Sequence, residues 1–223
     1  EELDWTLSVL FDGMGAMSSK YNETPEKSSR AYDANRDGFV IAGGGGFVIL
    51  ESLEHAQARG ANILAEIVAY AANSDGADMV APSGEGATRC ILLALEEAKQ
   101  HGVEHIDYVN THGTSTPAGD VTELKAMERA FGEGQVPALS STKSMTGHLL
   151  GAAGAIEAMA TVLAVQNDIV PPTINNVNPD PELDPKLNLT FNKAQKRTIN
   201  YAISNTFGFG GHNAAVVVKK YTA

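Results

Sequence analysis

Cysteine is almost absent from this sequence, since Cys90 is the only one among 223 residues. A single thiol excludes a disulfide within the chain and a cysteine-rich zinc site. Cys90 also lies among Ile, Leu and Ala in a stretch that predicts a helix, which favours a buried and inert thiol over a nucleophile.

An excess of basic residues is also lacking, because 16 Lys and Arg face 27 Asp and Glu, for a net charge of −11. Nucleic-acid surfaces depend on clustered Lys and Arg, so we expect no nucleic-acid partner. The negative charge favours a soluble protein, and an acidic partner such as a carrier protein would need a local basic patch.

No long hydrophobic run spans a membrane. A transmembrane helix needs about 18 consecutive apolar residues, and the nearest candidate, 149–165, contains Glu157. The sequence also opens without a signal-peptide pattern, so we expect a cytoplasmic protein without a membrane partner.

Short β-branched runs alternate with helical stretches along the chain, which predicts a layered α/β fold. The Phe47-Val-Ile-Leu run is expected to be a buried strand, and residues 170–185 a proline-rich surface excursion. The other predicted strands are 63–70, 105–110, 138–141, 187–191, 201–205 and 214–219, and the predicted helices are 4–12, 53–59, 87–100, 119–131 and 149–166.

Three glycine-rich loops follow predicted strands: NTHGTSTPAGD at 110–120, STKSMTGHLLGAAG at 141–154 and NTFGFGG at 205–211. Glycine allows the backbone to approach a ligand closely, and ligands of α/β folds bind where strands end. The sequence therefore predicts one binding site built from these loops.

Two histidines and one carboxylate are the candidate functional residues. His112 follows a strand, and His148 precedes a helix whose dipole would favour its neutral form, so a pair of imidazole donors could polarise a carbonyl. Glu157 is the only charged residue in 149–165, and a buried carboxylate there needs Lys143, a histidine or a monovalent cation as partner.

The sequence gives weaker support to an acyl-serine active site and to a zinc site. Ser140-Ser-Thr-Lys143 matches the S-x-x-K motif of acyl-serine enzymes, but their companion motifs are missing, and labelling of Ser140 would be needed to support this alternative. His112, His148 and His212 have no ligand partner at zinc-site spacing.

The three loops, together with DANRDGFVIAGGGG and SDGADMVAPSGEGA, resemble the β-ketoacyl-acyl-carrier-protein synthases, the fatty-acid elongating condensing enzymes of the thiolase superfamily. The resemblance covers essentially the whole chain. It implies the thiolase-like αβαβα architecture, with residues 1–72 as the end of the first half and residues 73–223 as the C-terminal half.

The resemblance also implies the role of each site residue. His112 and His148 would drive decarboxylation of the malonyl thioester, with Lys143 in support and the loop from Asp75 to Asp78 facing them. The remaining implied residues are Phe209, Gly208 and Gly210 for the gate and oxyanion hole, Thr114 and Thr116 for the phosphopantetheine arm, and Asn110, Glu157, Ser204 and Asn205 for a structural site that holds a monovalent cation in some members.

The family's nucleophile is a cysteine at a strand-to-helix elbow, and the resemblance implies that this elbow precedes residue 1 of the chain. We therefore expect a portion of a synthase that does not condense on its own, with the missing half or a second subunit supplying the cysteine. The implied partners are acyl carrier protein, which brings the 4'-phosphopantetheine so that no resident cofactor is needed, and a second copy in a homodimer.

A non-catalytic partner subunit of a heterodimer is the alternative, although such a subunit has no chemical need for both histidines and Lys143. Apolar surface built to pack against the other half would be left uncovered. The isolated chain is therefore expected to self-associate or to be poorly stable.

Overall fold

A computed structural model of the protein describes residues 3–222. Its centre is a five-stranded sheet with the order β1-β7-β6-β2-β3, in which β2 runs parallel to both β3 and β6, and β7 runs antiparallel to β1 and β6. A separate antiparallel pair joins β4 to β5. The strands are β1 Glu66–Ser74, β2 Tyr108–Asn110, β3 Ala138–Ser140, β4 Ile169–Val170, β5 Gln195–Lys196, β6 Tyr201–Gly208 and β7 His212–Lys219.

Two of the helices show familiar start and stop residues. Ser52 accepts a hydrogen bond from the His55 N–H at the start of α2, and Gly60 follows that helix with a φ of +66°, which glycine adopts without strain. Pro117 occupies the first turn of α4, where its missing N–H costs nothing. The helices are α1 Trp5–Gly13, α2 Leu53–Ala58, α3 Glu85–Gln100, α4 Pro117–Phe131, α5 Lys143–Thr146 and α6 Ala153–Asn167.

Helices cover both faces of the sheet because neighbouring strand residues point to opposite faces. Val109 of β2 and Ile203 of β6 pack in the cluster that holds α3 and α4. Tyr108 and Ala202, each one position earlier, pack in the cluster that holds α6. The prediction of a layered α/β fold is confirmed.

The prediction of a buried strand at residues 47–50 is wrong. Residues 47–50 form no strand, and the side chains of Phe47 and Ile49 are 93% and 81% exposed. Just before the run, Gly44 and Gly46 pass so close to Leu149 and to α6 that an added Cβ would lie 2.6 to 3.0 Å from their side chains. Residues 47–50 follow this close contact with α6. They find no strand to pair with among the described residues.

The predicted strand at 187–191 is also wrong, since only Phe191 bridges to Thr173. Thr190 and Asn192 both have positive φ, which breaks an extended strand. Residues 170–185 do not lie wholly on the surface as expected, because Thr173 and Asn176 are buried. Sequence analysis missed the short strands β4 and β5 in this part of the chain.

The remaining elements lie near their predicted positions. The strand expected at 63–70 starts later, at Glu66, and continues to Ser74, and the strand expected at 105–110 is reduced to its last three residues. The proposed domain boundary after residue 72 falls within β1 and stays a prediction. Within the described part of the chain, no helix is long and apolar enough to cross a bilayer.

Candidate functional site

A cavity of about 530 Å³ lies where β1, β2 and β6 end. Its walls come from the loops after those strands, which include Asp75 to Gly84, His112 to Gly119 and Phe207 to Gly211, and from His148, which follows α5. The three glycine-rich loops that the sequence singled out thus line one cavity.

His112 and His148 face each other in this cavity. Their ring centroids are 5.3 Å apart, with the rings nearly perpendicular at 87°. Hydrogen bonds on both sides fix the His148 backbone, since its N–H donates to the Val40 carbonyl at 2.7 Å and its carbonyl accepts from the Ala42 N–H at 2.9 Å. His112 therefore comes from the loop after β2, whereas His148 follows α5 and is held by the segment that contains Val40 and Ala42.

Both imidazoles are held neutral. Burial lowers the pKa of His112 well below its ordinary value, and the charges of Lys143 and His148 lower it further. Burial, followed by Lys143, lowers the pKa of His148 to about 3. The sequence analysis gave the right direction for His148 but assigned it to a helix dipole, whereas burial is the main cause.

The tautomer of His148 follows from its backbone contact. The Leu150 N–H donates to His148 Nδ1 at 3.2 Å, so in the neutral ring the proton resides on Nε2. His112 Nδ1 is buried and makes no hydrogen bond within the described structure. The arrangement suits N–H donation to an oxygen that gains negative charge.

Lys143 and Glu157 form a buried ion pair behind the histidines, with side chains only 1% and 2% exposed. Lys143 is thus one of the partners that the sequence analysis considered for Glu157. Burial raises the pKa of Glu157, and the adjacent Lys143 counteracts that rise. The pair places a positive charge close enough to influence both imidazoles.

Asn110, one residue of the predicted structural site, contacts the backbone of Glu157. The Asn110 amide donates to the Glu157 carbonyl at 3.3 Å and accepts from the Thr142 hydroxyl at 3.3 Å. Glu157 Oε2 and both polar atoms of the Asn205 side chain are buried and have no hydrogen-bond partner among residues 3–222, and Ser204 is also buried. Buried polar atoms of this kind normally have a partner, which water or an ion can supply.

The oxygen atoms of these side chains suit a hard cation and not a soft transition metal. The side chains of Glu157 and Asn205 offer carboxylate and amide oxygens, which are hard ligands. Among residues 3–222 no three His, Cys, Asp or Glu side chains form a metal-binding group.

Thr114 and Thr116 bring their hydroxyls together at the cavity wall, 3.0 Å apart. Ser115 between them has a φ of +72°, and its N–H donates to Asp120 Oδ1 at 3.0 Å. This tight turn presents both hydroxyls on the same side of the loop.

The turn that contains Phe209 closes the other side of the cavity. The Gly210 N–H donates to the Met79 carbonyl at 2.8 Å, and the Asp75 N–H donates to the Gly211 carbonyl at 2.7 Å. A Cβ at Gly211 would lie 1.7 Å from the Asp75 carbonyl oxygen, so only glycine fits there. Gly208, Gly210 and the loop from Asp75 to Asp78 are therefore joined into one rim, with Phe209 42% exposed.

Sequence analysis missed Glu123. Its carboxylate accepts from the backbone N–H groups of His112 and Gly113, both at 2.7 Å, and burial raises its pKa to about 7. The available signal was a second acid three residues after Asp120 on the helix that follows the histidine loop. Glu123 fixes the backbone that carries His112.

Two alternatives from the sequence find little support in the structure. Ser140 lies at the end of β3, where its hydroxyl bonds to the Tyr108 hydroxyl at 2.9 Å, and it does not line the cavity. Cys90 is fully buried in α3, and burial raises its pKa to about 11. The predicted burial of this thiol is confirmed.

Comparison with known families gives two adjacent matches. The family model described as "Beta-ketoacyl synthase, C-terminal domain" matches residues 64–176, and "Beta-ketoacyl synthase, N-terminal domain" matches residues 2–56.

Curated relatives match almost the entire chain. The 3-oxoacyl-[acyl-carrier-protein] synthase 1 of Haemophilus influenzae is 57% identical over 99% of this chain, and that of Escherichia coli K12 is 56% identical over the same share. The matches cover 53% and 52% of those relatives, so the chain spans about half of their length.

Solved structures agree at the level of the fold. A β-ketoacyl synthase from Burkholderia phymatum superposes with a TM-score of 0.91 at 41% identity, covering 100% of this chain and 53% of that one. The ishigamide ketosynthase/chain length factor gives 0.91 at 36% identity, over 100% and 52%. A type II PKS acyl-carrier protein in complex with its ketosynthase gives 0.90 at 36% identity, over 97% and 53%.

Proposed function

Because this chain belongs to the β-ketoacyl synthase family and has its thiolase-like fold, we propose that it is a portion of a 3-oxoacyl-[acyl-carrier-protein] synthase. The whole enzyme would elongate fatty acyl chains by decarboxylative Claisen condensation of malonyl-carrier with acyl-carrier. The observation that carries this proposal is the pair of neutral imidazoles, 5.3 Å apart in a cavity at the strand ends.

The histidine pair acts on the malonyl thioester. His112 and His148 donate hydrogen bonds to the thioester carbonyl oxygen while the bond to the carboxylate carbon breaks. CO2 leaves, and the electron pair of that bond forms an enolate whose charge rests on the held oxygen. Preorganised donors stabilise such a charge because no reorganisation is needed as it develops.

Lys143 supports the pair without taking part in proton transfer. Burial is the main reason that both imidazoles are neutral, and the charge of Lys143 adds to it, since protonation of either ring would place a second cation nearby. Glu157 in turn keeps Lys143 in place. A monovalent cation bound by the oxygens of Glu157 and Asn205 would supply the partner that these atoms lack and would add positive charge behind the pair.

The phosphopantetheine arm enters along the threonine turn. The Thr114 and Thr116 hydroxyls bond to its amides, and the carrier protein brings the arm, so no resident cofactor is required. A ketosynthase solved with its acyl-carrier protein superposes on this chain, which supports a carrier partner. The turn at Gly208 and Gly210 gates the cavity through Phe209, whose N–H belongs to the oxyanion hole for the acyl group.

Condensation needs an acyl-carrying nucleophile that Cys90 does not provide, because it is buried in α3 away from the cavity. We place that cysteine in the other half of the enzyme or on a second subunit, within a cytoplasmic homodimer. On its own the 223-residue chain is therefore expected to decarboxylate a malonyl thioester without forming a carbon–carbon bond.

A second candidate is a partner subunit without condensing activity. The ketosynthase/chain length factor neighbour at a TM-score of 0.91 favours it, because that neighbour combines a ketosynthase with a further component. Retention of both histidines and Lys143 around one cavity argues for the catalytic proposal. Mass spectrometry of the native sample shows whether a distinct cysteine-bearing chain is present. Condensation by that native sample with His112→Ala in this chain separates the two, since only the catalytic proposal predicts its loss.

The test is decarboxylation of malonyl-pantetheine by the purified chain, followed as conversion to acetyl-pantetheine. His112→Ala and His148→Ala should each slow the reaction by roughly 10²-fold or more, the scale for loss of one oxyanion donor. His101→Ala, at an exposed position after α3, is the matched control and should leave the rate unchanged. Equal rates in all variants, or elongation by the chain without a second polypeptide, would contradict the proposal.

A further inference from the structure

Arg36 lies outside the cavity lining but is only 5% exposed, and its guanidinium joins three segments of the chain. Nε donates to the Thr116 carbonyl at 3.0 Å, and Nη2 donates to the Pro117 carbonyl at 2.6 Å. Nη1 donates to the Asp33 carbonyl at 2.8 Å and to Asp180 Oδ2 at 2.6 Å. Arg36 therefore ties the threonine turn to two regions distant in sequence.

The turn from Thr114 to Pro117 has few main-chain hydrogen bonds of its own. Pro117 has no N–H, and Ser115 occupies the left-handed region at a φ of +72°, a conformation that costs energy unless its surroundings hold it. On the carbonyl side of the turn, Arg36 supplies two charge-assisted hydrogen bonds, which are stronger than neutral ones.

The same residue carries the Arg36 contact and the cavity-facing hydroxyl. Thr116 accepts from Arg36 through its carbonyl, while its hydroxyl lies 3.0 Å from that of Thr114. Fixing the Thr116 peptide fixes the direction of its Cα–Cβ bond and so the place of both hydroxyls.

Charge balance explains how a guanidinium stays buried here. Asp120 Oδ2 lies 3.3 Å from Arg36 Nε, and Asp180 pairs with Nη1 from a position nearer the surface. A buried arginine is stable only when its donors and its charge are matched. The planar fork reaches three carbonyls and two carboxylates at once, which a lysine ammonium cannot do.

Arg30 shows that burial in this segment does not by itself imply the same role. It is 7% exposed, and its guanidinium contacts the Lys27 carbonyl, the Tyr21 hydroxyl and Asp33. Those partners lie within residues 21–33, so the Arg30 side chain holds its own segment and not the threonine turn.

We propose that Arg36 is a positioning residue that sets the Thr114 and Thr116 hydroxyls for the pantetheine arm through its bonds to the Thr116 and Pro117 carbonyls. This inference rests on the proposed function, which assigns those hydroxyls to the arm. Loss of the guanidinium fork should weaken pantetheine binding without changing the histidine chemistry.

The experiment compares Arg36→Lys with Arg30→Lys in the purified chain. Hydrogen exchange over residues 113–120 should accelerate in Arg36→Lys and not in Arg30→Lys. The Kd for pantetheine should rise roughly tenfold in Arg36→Lys alone, the scale of one lost charge-assisted hydrogen bond. The rate of malonyl-pantetheine decarboxylation at saturation should stay within about twofold of wild type in both, since neither touches the histidines.

The outcomes separate the two claims. Equal effects of the two substitutions, or unchanged exchange over 113–120 in Arg36→Lys, would overturn the role of Arg36. Faster exchange in Arg36→Lys, together with a wild-type chain that does not bind pantetheine, would uphold the positioning and reject the proposed use of the threonines. Should Arg36→Lys fail to fold, Asp180→Asn removes the outer partner and should give the same changes at smaller size.

Discussion

The histidine face and the apolar run depart from the usual distribution of residues in opposite ways. The histidine face, defined as His112, Lys143, His148 and Glu157, buries the charged side chains of Lys143 and Glu157 and partly buries both imidazoles. The apolar run, defined as residues 47–50, exposes four consecutive hydrophobic side chains.

The difference between them lies in their partners. Lys143 and Glu157 are paired with each other, and the backbones that carry both histidines are held by hydrogen bonds. The apolar run pairs with no strand of the described chain and buries little of its surface. Exposed apolar patches of this kind mark contact surfaces, so the first region is held by contacts within the fold, whereas the second is open to an external contact.

The largest effect on stability is expected for Lys143→Met, which tests whether the histidine face depends on its buried ion pair. It leaves Glu157 buried without its cation, which is expected to cost about 3–5 kcal/mol in the free energy of unfolding. Lys219→Met is the matched control, because Lys219 pairs with Glu66 at 3.3 Å where both side chains are about one-third exposed. Its expected cost is below about 1 kcal/mol. Equal costs in urea unfolding would mean that the buried pair contributes no more than a surface pair.

The same substitution at a buried and at an exposed phenylalanine sharpens the comparison. Phe39 is 2% exposed and packs edge-on against His148 at 5.3 Å, so Phe39→Ala should destabilise the chain by about 3–5 kcal/mol. Phe47 is 93% exposed, and Phe47→Ala should change stability by less than about 0.5 kcal/mol. A large loss in Phe47→Ala would show that residues 47–50 are buried in the protein in solution.

The neutral state of His148 gives a pH prediction. Its pKa is lowered to about 3 in the folded chain, so the unfolded chain binds more protons between that value and the ordinary 6.5. Wild type should therefore lose stability relative to His148→Asn as pH falls below about 6.5, with a limiting slope of about 1.4 kcal/mol per pH unit. Urea unfolding of both variants from pH 7.5 to 4.5 measures the difference. A pH-independent difference would show that His148 titrates normally.

Substitutions in the apolar run should affect association more than stability. Phe47→Ser with Ile49→Ser should leave the urea midpoint nearly unchanged, since neither side chain is buried. Wild type is expected to self-associate in sedimentation velocity, and the double variant should sediment more slowly at the same concentration. A monodisperse wild-type monomer with a cooperative thermal transition would remove this expectation.

Local sequence patterns predicted much of the fold. The periodic patterns of α3, α4 and α6 and the glycines after helices placed most elements within a few residues. The Phe47 run misled because β-branched residues indicate a strand only where a pairing partner exists. The 187–191 prediction failed because positive φ at Thr190 depends on its surroundings and not on its own propensity.

Part of the candidate site could also be predicted from local sequence patterns. Histidines in glycine-rich loops and a lone carboxylate in an apolar helix are local signals, and the structure brings His112, His148, Lys143 and Glu157 together. Arg36 carries no such signal. Its partners Thr116 and Asp180 lie 80 and 144 residues away, so only the folded chain reveals its role.

The central claim is that both histidines hold the thioester oxygen, and a crystal structure of the chain with a non-reactive amide analogue of malonyl-pantetheine tests it most directly. The account predicts that the analogue's carbonyl oxygen accepts hydrogen bonds from ring nitrogens of His112 and His148, each at roughly 2.7–3.2 Å. A carbonyl bound elsewhere in the cavity, with either imidazole beyond hydrogen-bonding distance, would contradict it.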